Sequence, residues 1–424
     1  MNSTPLSPLT PATELKFALL VGVMVLPLFA PQPLVGLIAA SAGFAAPAAG
    51  FVAASTLLGY TCGLCFLVPL IDLIEARRAV LASVSAGVVG STAATLAPSA
   101  AYLLIAALGV GVATSAIQMV ISIVAGLVSE ARRGQVVGKL MSGLMVGVLL
   151  SRPIASLAGE RFGWRGSYGL DAMALLAVLA VLNRSLPVRR PQTPARYREV
   201  VGSLWKLLLE EETLRRRTLY QALCMAAFGL FWTAVPVRLM NAPFSLGQIG
   251  VALFAFCGVA GAIVSPLAGW AGDHHLSTPA TRLAHAAVVT GAILAGIAGA
   301  GWLGFDPAAR PTLALTGLAA AALIVDTGVI ADQTLGRRAV NLLRPEARGR
   351  VNGLYTGLFF VGGSIGSAIA GLVWTQAGWT LVCALCAGFG VAALALSATS
   401  TTQREAGAAD KLPPAPPATQ VEHS

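Results

Sequence analysis

Residues 133–164 read RGQVVGKLMSGLMVGVLLSRPIASLAGERFGW, and residues 348–379 read RGRVNGLYTGLFFVGGSIGSAIAGLVWTQAGW. Laid over one another without a gap, they match at Arg133-Gly134 and Arg348-Gly349, at Gly138 and Gly353, at Gly147 and Gly362, and at Gly163-Trp164 and Gly378-Trp379. One register holds across an apolar run and both of its flanking loops, which composition alone does not produce even in a chain with 46 glycines. The chain therefore carries two copies of one plan, and each copy contains a long run of apolar and small residues.

Those runs set the class of the whole chain. Of its 424 residues, 56% are hydrophobic and only 11% are charged, where a water-soluble domain carries about 25% charge. The mean hydropathy is +0.78. Disorder, a collagen repeat and a coiled coil are excluded, and most of the exterior must meet hydrocarbon. A helix crossing a bilayer needs about 20 mostly apolar residues. Such runs fall near 16–40, 48–70, 79–97, 101–128, 136–158 and 166–184, and, after a polar stretch, near 218–238, 248–270, 283–303, 312–333, 351–374 and 379–398. The expectation is an all-α membrane protein with twelve transmembrane helices in two pseudo-symmetric six-helix halves, 16–184 and 218–398. The first run is too long for the core of a signal peptide and is read as a retained helix. None of the runs alternates apolar with polar residues as a membrane-spanning strand does.

An even number of crossings puts both ends of the chain on one side. On that side lie the tail 1–15, the linker 185–217, the tail 399–424 and almost all of the 28 basic residues. Only Arg161, Arg165, Arg238 and Arg310 fall on the other side, and Arg152 falls inside a span. Basic residues stay in the cytoplasm, so both termini are expected to be cytoplasmic, in a multi-pass protein of the cytoplasmic (inner) membrane. The net charge of +10 then marks orientation and contact with the anionic head groups of the lipid bilayer, and nucleic acid is not an expected partner. The linker opens with Pro187, Pro191 and Pro194 and continues with Tyr197, Val200, Val201, Leu204, Trp205 and Leu208 at helical spacing. This is an amphipathic helix that either lies along the membrane surface or packs on the loops of that side. The tail from Thr399, with Pro413, Pro414, Pro416 and Pro417, is expected to be disordered.

Two repeated six-span halves around a central linker resemble the plan of the major facilitator superfamily. Pro69-Leu70-Ile71-Asp72 with Arg77-Arg78, after the second span, resembles that superfamily's loop signature, and Gly269-Trp270-Ala271-Gly272-Asp273, after the eighth, resembles its second copy. Gln32-Pro33-Leu34, Tyr220-Gln221, Phe231-Trp232-Thr233 and Arg348-Gly349-Arg350-Val351-Asn352 are similar to segments of the arabinose-efflux-permease-like, drug/proton-antiporter-like branch. The resemblance covers roughly residues 15–398. It implies a secondary transporter that rocks its halves about a site near the midplane. It also implies a gate at Asp72, Arg77, Arg78, Gly269 and Asp273, whose carboxylates and basic residues pair across the halves and part as the halves rock. The chain departs from the pattern at Val68 and Glu75, where the signature has glycines, and at Ser151-Arg152, which replaces the Gly-Pro of the fifth span. It departs again at Ile105, in place of the arginine that many proton antiporters carry in the fourth span.

An ionisable residue inside a span costs at least about 2.5–3.5 kcal/mol at mid-helix, so each one is a functional candidate. Arg152 in the fifth span, Asp171 in the sixth and Asp326 deep in the tenth are the candidates for coupling to protons. Burial disfavours the charged form of a carboxylate, which makes Asp326 the first choice to take up and release a proton. The alternative is that it fixes packing by pairing with a neighbour. Arg152 binds an anionic group, serves as counter-ion to Asp171 or Asp326, or reaches the outer interface along its stem. Pro27, Pro31 and Pro33 free backbone carbonyls in the first span. Gln32 beside them, Ser115 and Gln118 of the fourth span and Gln333 of the tenth are candidates to face a substrate cavity or to join helices as polar pairs. Phe228, Phe231 and Trp232 of the seventh span are candidates for its apolar lining, or for ordinary helix packing.

Three enzyme-like strings are read as packing. Cys62-Gly63-Leu64-Cys65 and Cys383-Ala384-Leu385-Cys386 have the spacing of redox or zinc pairs but sit within spans, where Cys serves as a small apolar residue. Gly362-Gly363-Ser364-Ile365-Gly366 matches a hydrolase elbow but falls in a helix. No metal, nucleotide or covalent cofactor is expected, and no enzymatic activity. The expected protein is a monomeric carrier that exports a small molecule in exchange for protons. Proton-coupled uptake is the alternative; a non-transporting receptor and an intramembrane hydrolase are the further ones.

Overall fold

The computed structural model describes residues 10–41, 48–188, 197–344 and 348–399. The tail 400–424, the first nine residues and the linker prolines Pro191 and Pro194 lie outside the described residues. Among the described residues there are helices and connecting turns, and no strand.

The first apolar run is three helical pieces in line, α1 (Pro11–Met24), α2 (Leu26–Phe29) and α3 (Pro31–Ser41). The Thr10 hydroxyl caps α1 by accepting from the Thr13 amide at 3.3 Å, and Pro11 fills the first turn, where no donor is needed. The breaks fall at Val25 and Ala30, beside Pro27 and Pro31, which lack the amide that would continue the ladder. Next come α4 (Gly50–Cys62), which runs on into a π-helical turn at Gly63–Leu67, then α5 (Ala76–Thr95), α6 (Ala100–Thr114) and α7 (Ala116–Ala125). The half closes with α8 (Glu130–Ser185). At about 1.5 Å per residue, α8 would overshoot the roughly 30 Å hydrocarbon core more than twofold if it were straight. It instead doubles back at Gly163, whose φ is +68°.

After the linker helix α9 (Tyr197–Glu210), the second half holds α10 (Glu212–Met240), α11 (Gln248–Ala255), α12 (Ala260–Asp273), α13 (Ser277–Ala300), α14 (Pro311–Asn341) and α15 (Arg348–Ala398). α15 breaks at Ala377 and at Gly378, where φ is +59°. Gly163 and Gly378 are the repeated glycines of the sequence, and a left-handed φ at each explains why no other residue serves. The repeated tryptophans complete the turns. Trp164 and Trp379 are buried, and each indole N–H docks on a neighbour: Ser41 Oγ at 2.6 Å for Trp164 and Ala295 O at 2.9 Å for Trp379.

The repeat is visible in the packing as well. α1 lies against the first arm of α8, with Gly143 and Gly147 turned to the carbonyls of Ala18 and Gly22, and a Cβ on either glycine would overlap those oxygens. In the second half α10 lies against the first arm of α15, and Gly362 and Gly366 face the carbonyls of Ala222 and Ala226 in the same way. The two halves meet where α4 runs along α15. Thr61 Oγ1 donates to Gly357 O at 2.9 Å, and Ser364 Oγ donates to Ala54 O at 2.8 Å. Ser364, the nucleophile position of the elbow-like string, is therefore a helix-joining hydroxyl inside α15. α3 against α10 and α8 against α11 make two further seams between the halves.

Nine helical stretches among the described residues, several of them joining consecutive helices, are long and apolar enough to cross a membrane. Their outer surfaces carry large apolar side chains with no protein to cover them, among them Ile105 at 71% and Leu283 at 72% exposure. Water would penalise such a surface, and lipid does not. Ile105 thus points outward, away from the interior where a proton-relay arginine would be useful. α9 is not free of the bundle. Tyr197 Oη donates to Phe66 O at 2.9 Å in the first half, and Ser203 Oγ accepts from Arg350 at 2.9 Å in the second. Just beyond α9, Arg344 bonds Glu211 at 2.7 Å and lies 3.6 Å from Glu210. The linker thus touches helix ends of both halves, while Trp205 and Leu209 on the same helix stay exposed at 65% and 59%.

Candidate functional site

The prolines of the first run and the inner seams of the bundle converge on one cluster. Breaking the helix into α1, α2 and α3 sets Phe29 and Gln32 on the inner side, where both are buried. α8 approaches closely at this level, and Ser151 Oγ donates to Leu26 O at 2.5 Å. The next residue, Arg152, is only 3% exposed. Its Nε donates to Gln32 Oε1 at 2.8 Å. Its guanidinium carbon lies 4.4 Å from the Trp232 ring centroid, 5.0 Å from that of Phe228 and 5.1 Å from that of Phe29. A guanidinium enclosed by three aromatic faces is held by their quadrupoles where a lone charge would be expelled. Phe29 comes from the first half; Phe228 and Trp232, both on α10, come from the second.

Trp232 then turns its other edge to a carboxylate. The indole Nε1–H donates to Asp326 Oδ1 at 2.8 Å, and Asp326 on α14 is 3% exposed. Arg152 and Asp326 make no direct ion pair. They flank Gly258, between α11 and α12, where a Cβ would stand 3.2 Å from Asp326 Oδ2 and 3.9 Å from Arg152 Nη1. The glycine leaves that space clear for both charges. Arg152 Nη2 and Gln32 Nε2 are buried with no hydrogen-bond partner. The site is therefore a chain of contacts, Gln32 to Arg152 to Trp232 to Asp326, that crosses from one half to the other and keeps donors in reserve.

Of the residues expected from sequence, the structure brings together Gln32, Arg152, Phe228, Trp232 and Asp326. It places the others elsewhere. Phe231 stands behind Trp232, its ring 5.7 Å from those of both Trp232 and Trp379. Ser115 is turned to Gly63 and bonds Val112 O at 2.7 Å. Gln118 Nε2 reaches Tyr60 Oη at 3.5 Å, and Gln333 is half-buried on α14. Asp171 is buried on the second arm of α8 with Oδ2 unpartnered, and it makes no ion pair with Arg152. Phe29 and Gly258 belong to the site and were not singled out from sequence. The position of Phe29 between Pro27 and Pro31 was a usable signal; Gly258 is one glycine among many.

The gate residues are held apart from the opposite half in this structure. The resemblance implied ion pairs across the halves, yet the partners of its described side chains lie within their own half. Arg77 donates to the Asn183 backbone carbonyl and, at 2.9 Å, to Asn183 Oδ1. Arg78 pairs with Glu75 at 3.1 Å and Asp273 with Arg338 at 3.1 Å. Arg77 is drawn to the carbonyl-rich end of α8, where a cation is favoured. Gly272 leaves room for Arg338 to lie over Asp273. Gly269 has open space about it, and the side chain of Asp72 lies outside the described residues.

Two repeated halves of membrane-length helices, meeting around buried charges of opposite sign, define a polytopic membrane carrier. Residues 17–336 match the Major Facilitator Superfamily, and the chain belongs to that family, whose members are transporters of small molecules rather than enzymes. It is 30% identical over 375 residues to the "Uncharacterized transporter YgaY" of Escherichia coli O157:H7, covering 88% of this chain and 92% of that one. It is also 30% identical over 381 residues to the "Probable transporter SCO4007" of Streptomyces coelicolor, covering 89% and 84% of the two chains. Among solved structures, the nucleoside transporter NupG superposes with a TM-score of 0.73 at 14% identity, covering 90% of this chain and 99% of that one. A D-xylose-proton symporter superposes with a TM-score of 0.72 at 13% identity, covering 90% and 96%. At such identities the two structures speak for the fold alone.

Proposed function

We propose that this chain is a proton-coupled secondary transporter that exports a small molecule by antiport. In this reading it is a monomer of the cytoplasmic membrane with twelve crossings and both termini in the cytoplasm. α8 and α15 each contribute two crossings and α5 contributes one. The single observation that carries the reading is the pair of separated, buried charges at the seam of the halves, Arg152 and Asp326, joined through one indole. The charge of a buried carboxylate is felt strongly by an arginine in the same low-dielectric space, so a proton gained or lost at one alters the other. Asp326 carries the proton, and Arg152 with Gln32 holds the solute. A proton on Asp326 and a solute on Arg152 and Gln32 oppose one another, so that arrival of one releases the other. Rocking about the α4–α15 seam exposes the site to each side in turn.

The deciding experiment is flux into inverted vesicles across a compound panel, with and without an imposed pH gradient. Asp326→Asn is expected to abolish gradient-driven flux while the protein remains in the membrane at its normal level. Undiminished proton-driven flux in that variant would sink the proposal. Uptake by symport is the second reading. It is favoured by the separate edges that Arg152 and Asp326 offer beside Gly258, which a solute and a proton can fill together. The sign of the solute's response to the gradient separates the two.

A further inference from the structure

A second set of buried polar groups lies in the second half, apart from the Arg152–Asp326 site. Cys224 of α10, His285 of α13 and Asp332 of α14 are at most 1% exposed. One donor atom from each, a thiol sulfur, an imidazole nitrogen and a carboxylate oxygen, lies within 4.8 Å of the other two. His285 Nε2 stands 3.3 Å from Asp332 Oδ1. Nevertheless Nε2 makes no hydrogen bond, and neither oxygen of Asp332 has a hydrogen-bond partner. The far side of the ring is fixed: the Ser397 hydroxyl meets His285 Nδ1 at 3.1 Å, and Tyr220 packs edge to face at 5.6 Å. This holds Nε2 toward the carboxylate.

Two carboxylate oxygens and a ring nitrogen left without partners inside a membrane protein are costly, and an occupant that satisfies them together is favoured. A proton between Nε2 and Oδ1 would leave Oδ2 and the thiol without a role. We propose that Cys224, His285 and Asp332 form a binding site for one divalent transition-metal ion of the zinc type. Bonds of about 2.0–2.1 Å to nitrogen and oxygen set those two ligands about 3.3–3.4 Å apart in a tetrahedron, which is the His285–Asp332 spacing. With a bond of about 2.3 Å to sulfur, the thiol of Cys224 has to close by at most about 1.3 Å. Mixed sulfur, nitrogen and oxygen donors select zinc-like ions over magnesium or calcium. Charge favours the same class. On binding, the thiol loses its proton to solvent as the sulfur–metal bond forms, and thiolate and carboxylate together cancel the two positive charges of the ion. A neutral complex is the form tolerated in a low-dielectric interior. His285 lies in the first half of α13 and Ser397 at the end of α15, so the site is about two to three turns inside the linker-side end of the bundle. Three ligands leave one tetrahedral position open, and the ion ties α10, α13 and α14 together.

The test uses the full chain purified in detergent and titrated with cobalt(II), followed by competition with zinc. The expected result is one equivalent bound, with ligand-field bands of a tetrahedral ion and a thiolate-to-cobalt charge-transfer band, both removed by zinc. Cys224→Ser, which conserves volume, removes the charge-transfer band; Asp332→Asn and His285→Ala remove the ligand-field bands. Ser397→Ala, which keeps all three donors, weakens binding about tenfold. Cys383→Ser and Cys62→Ser leave the spectrum unchanged. No cobalt spectrum from a monodisperse preparation overturns the proposal. So does a spectrum that survives Cys224→Ser, or one that is lost in Cys62→Ser.

Discussion

At the scale of the residue, Trp232 is the hinge of the site. Its face meets a guanidinium and its N–H meets a carboxylate, so it transmits the state of Asp326 to Arg152 without those two touching. Trp232→Phe keeps the ring and deletes the donor. A hydrogen bond to a charged acceptor is worth about 1.5–3 kcal/mol, so about a tenfold or larger fall in proton-driven flux is expected. Flux with an unchanged dependence on pH would mean that the indole only packs. Removing one member of a buried charge pair costs about 3–5 kcal/mol, because the other charge is left uncompensated. Arg152 and Asp326 do not touch, so Arg152→Gln should lower unfolding stability in detergent by less than that, and adding Asp326→Asn should restore part of it. If the double variant is no more stable than the single one, the two charges are not coupled. These two residues were legible in the sequence because charges within spans are scarce. Their joining through Trp232 was not, since which edge of an indole faces which neighbour is set by packing between distant spans. The Cys224, His285 and Asp332 cluster was hidden for the same reason: its members sit on three helices with no common spacing.

At the scale of the element, the repeat tells which glycines matter. Gly362 and Gly366 are pressed against the carbonyls of α10, whereas Gly353, about two and a half turns before Gly362 on the same helix, has nothing within 4 Å of where a Cβ would be. Gly362→Ala is expected to lower thermal stability, since backbone must move to admit the methyl. Gly353→Ala is expected to be neutral or to raise stability by about 0.5–1 kcal/mol, through a stiffer helix. Equal effects from both would contradict the packing of α10 on α15. The sequence announced the glycines and their register, but the close approach needs the partner helix, which sequence order does not supply. The same limit explains the gate. Its motif named Arg77 and Asp273, while the choice between a partner across the seam and one in the same half depends on helix ends that only the fold brings together.

At the scale of the whole molecule, the seam between α4 and α15 offers a direct test of motion. A Cβ built on Gly357 lies 3.0 Å from Cys65 Sγ, a separation compatible with a disulfide. Gly357→Cys, oxidised, should lock the halves together and stop flux, and a reductant should restore it. The same variant carrying Cys65→Ser should be indifferent to oxidation. Transport that continues in the cross-linked protein would exclude rocking about this seam. The linker adds a further control of its own. Arg344 is 41% exposed and Glu210 44% exposed, so the hold of the linker on the second half is an electrostatic one in contact with water. Dissolved ions shorten the reach of such a hold from about 10 Å at 0.1 M to about 3 Å at 1 M. Raising salt only in the compartment that bathes the linker should change turnover, and Arg344→Ala should remove that response. The transporter would then report the ionic strength of one compartment through its rate, whatever solute it carries.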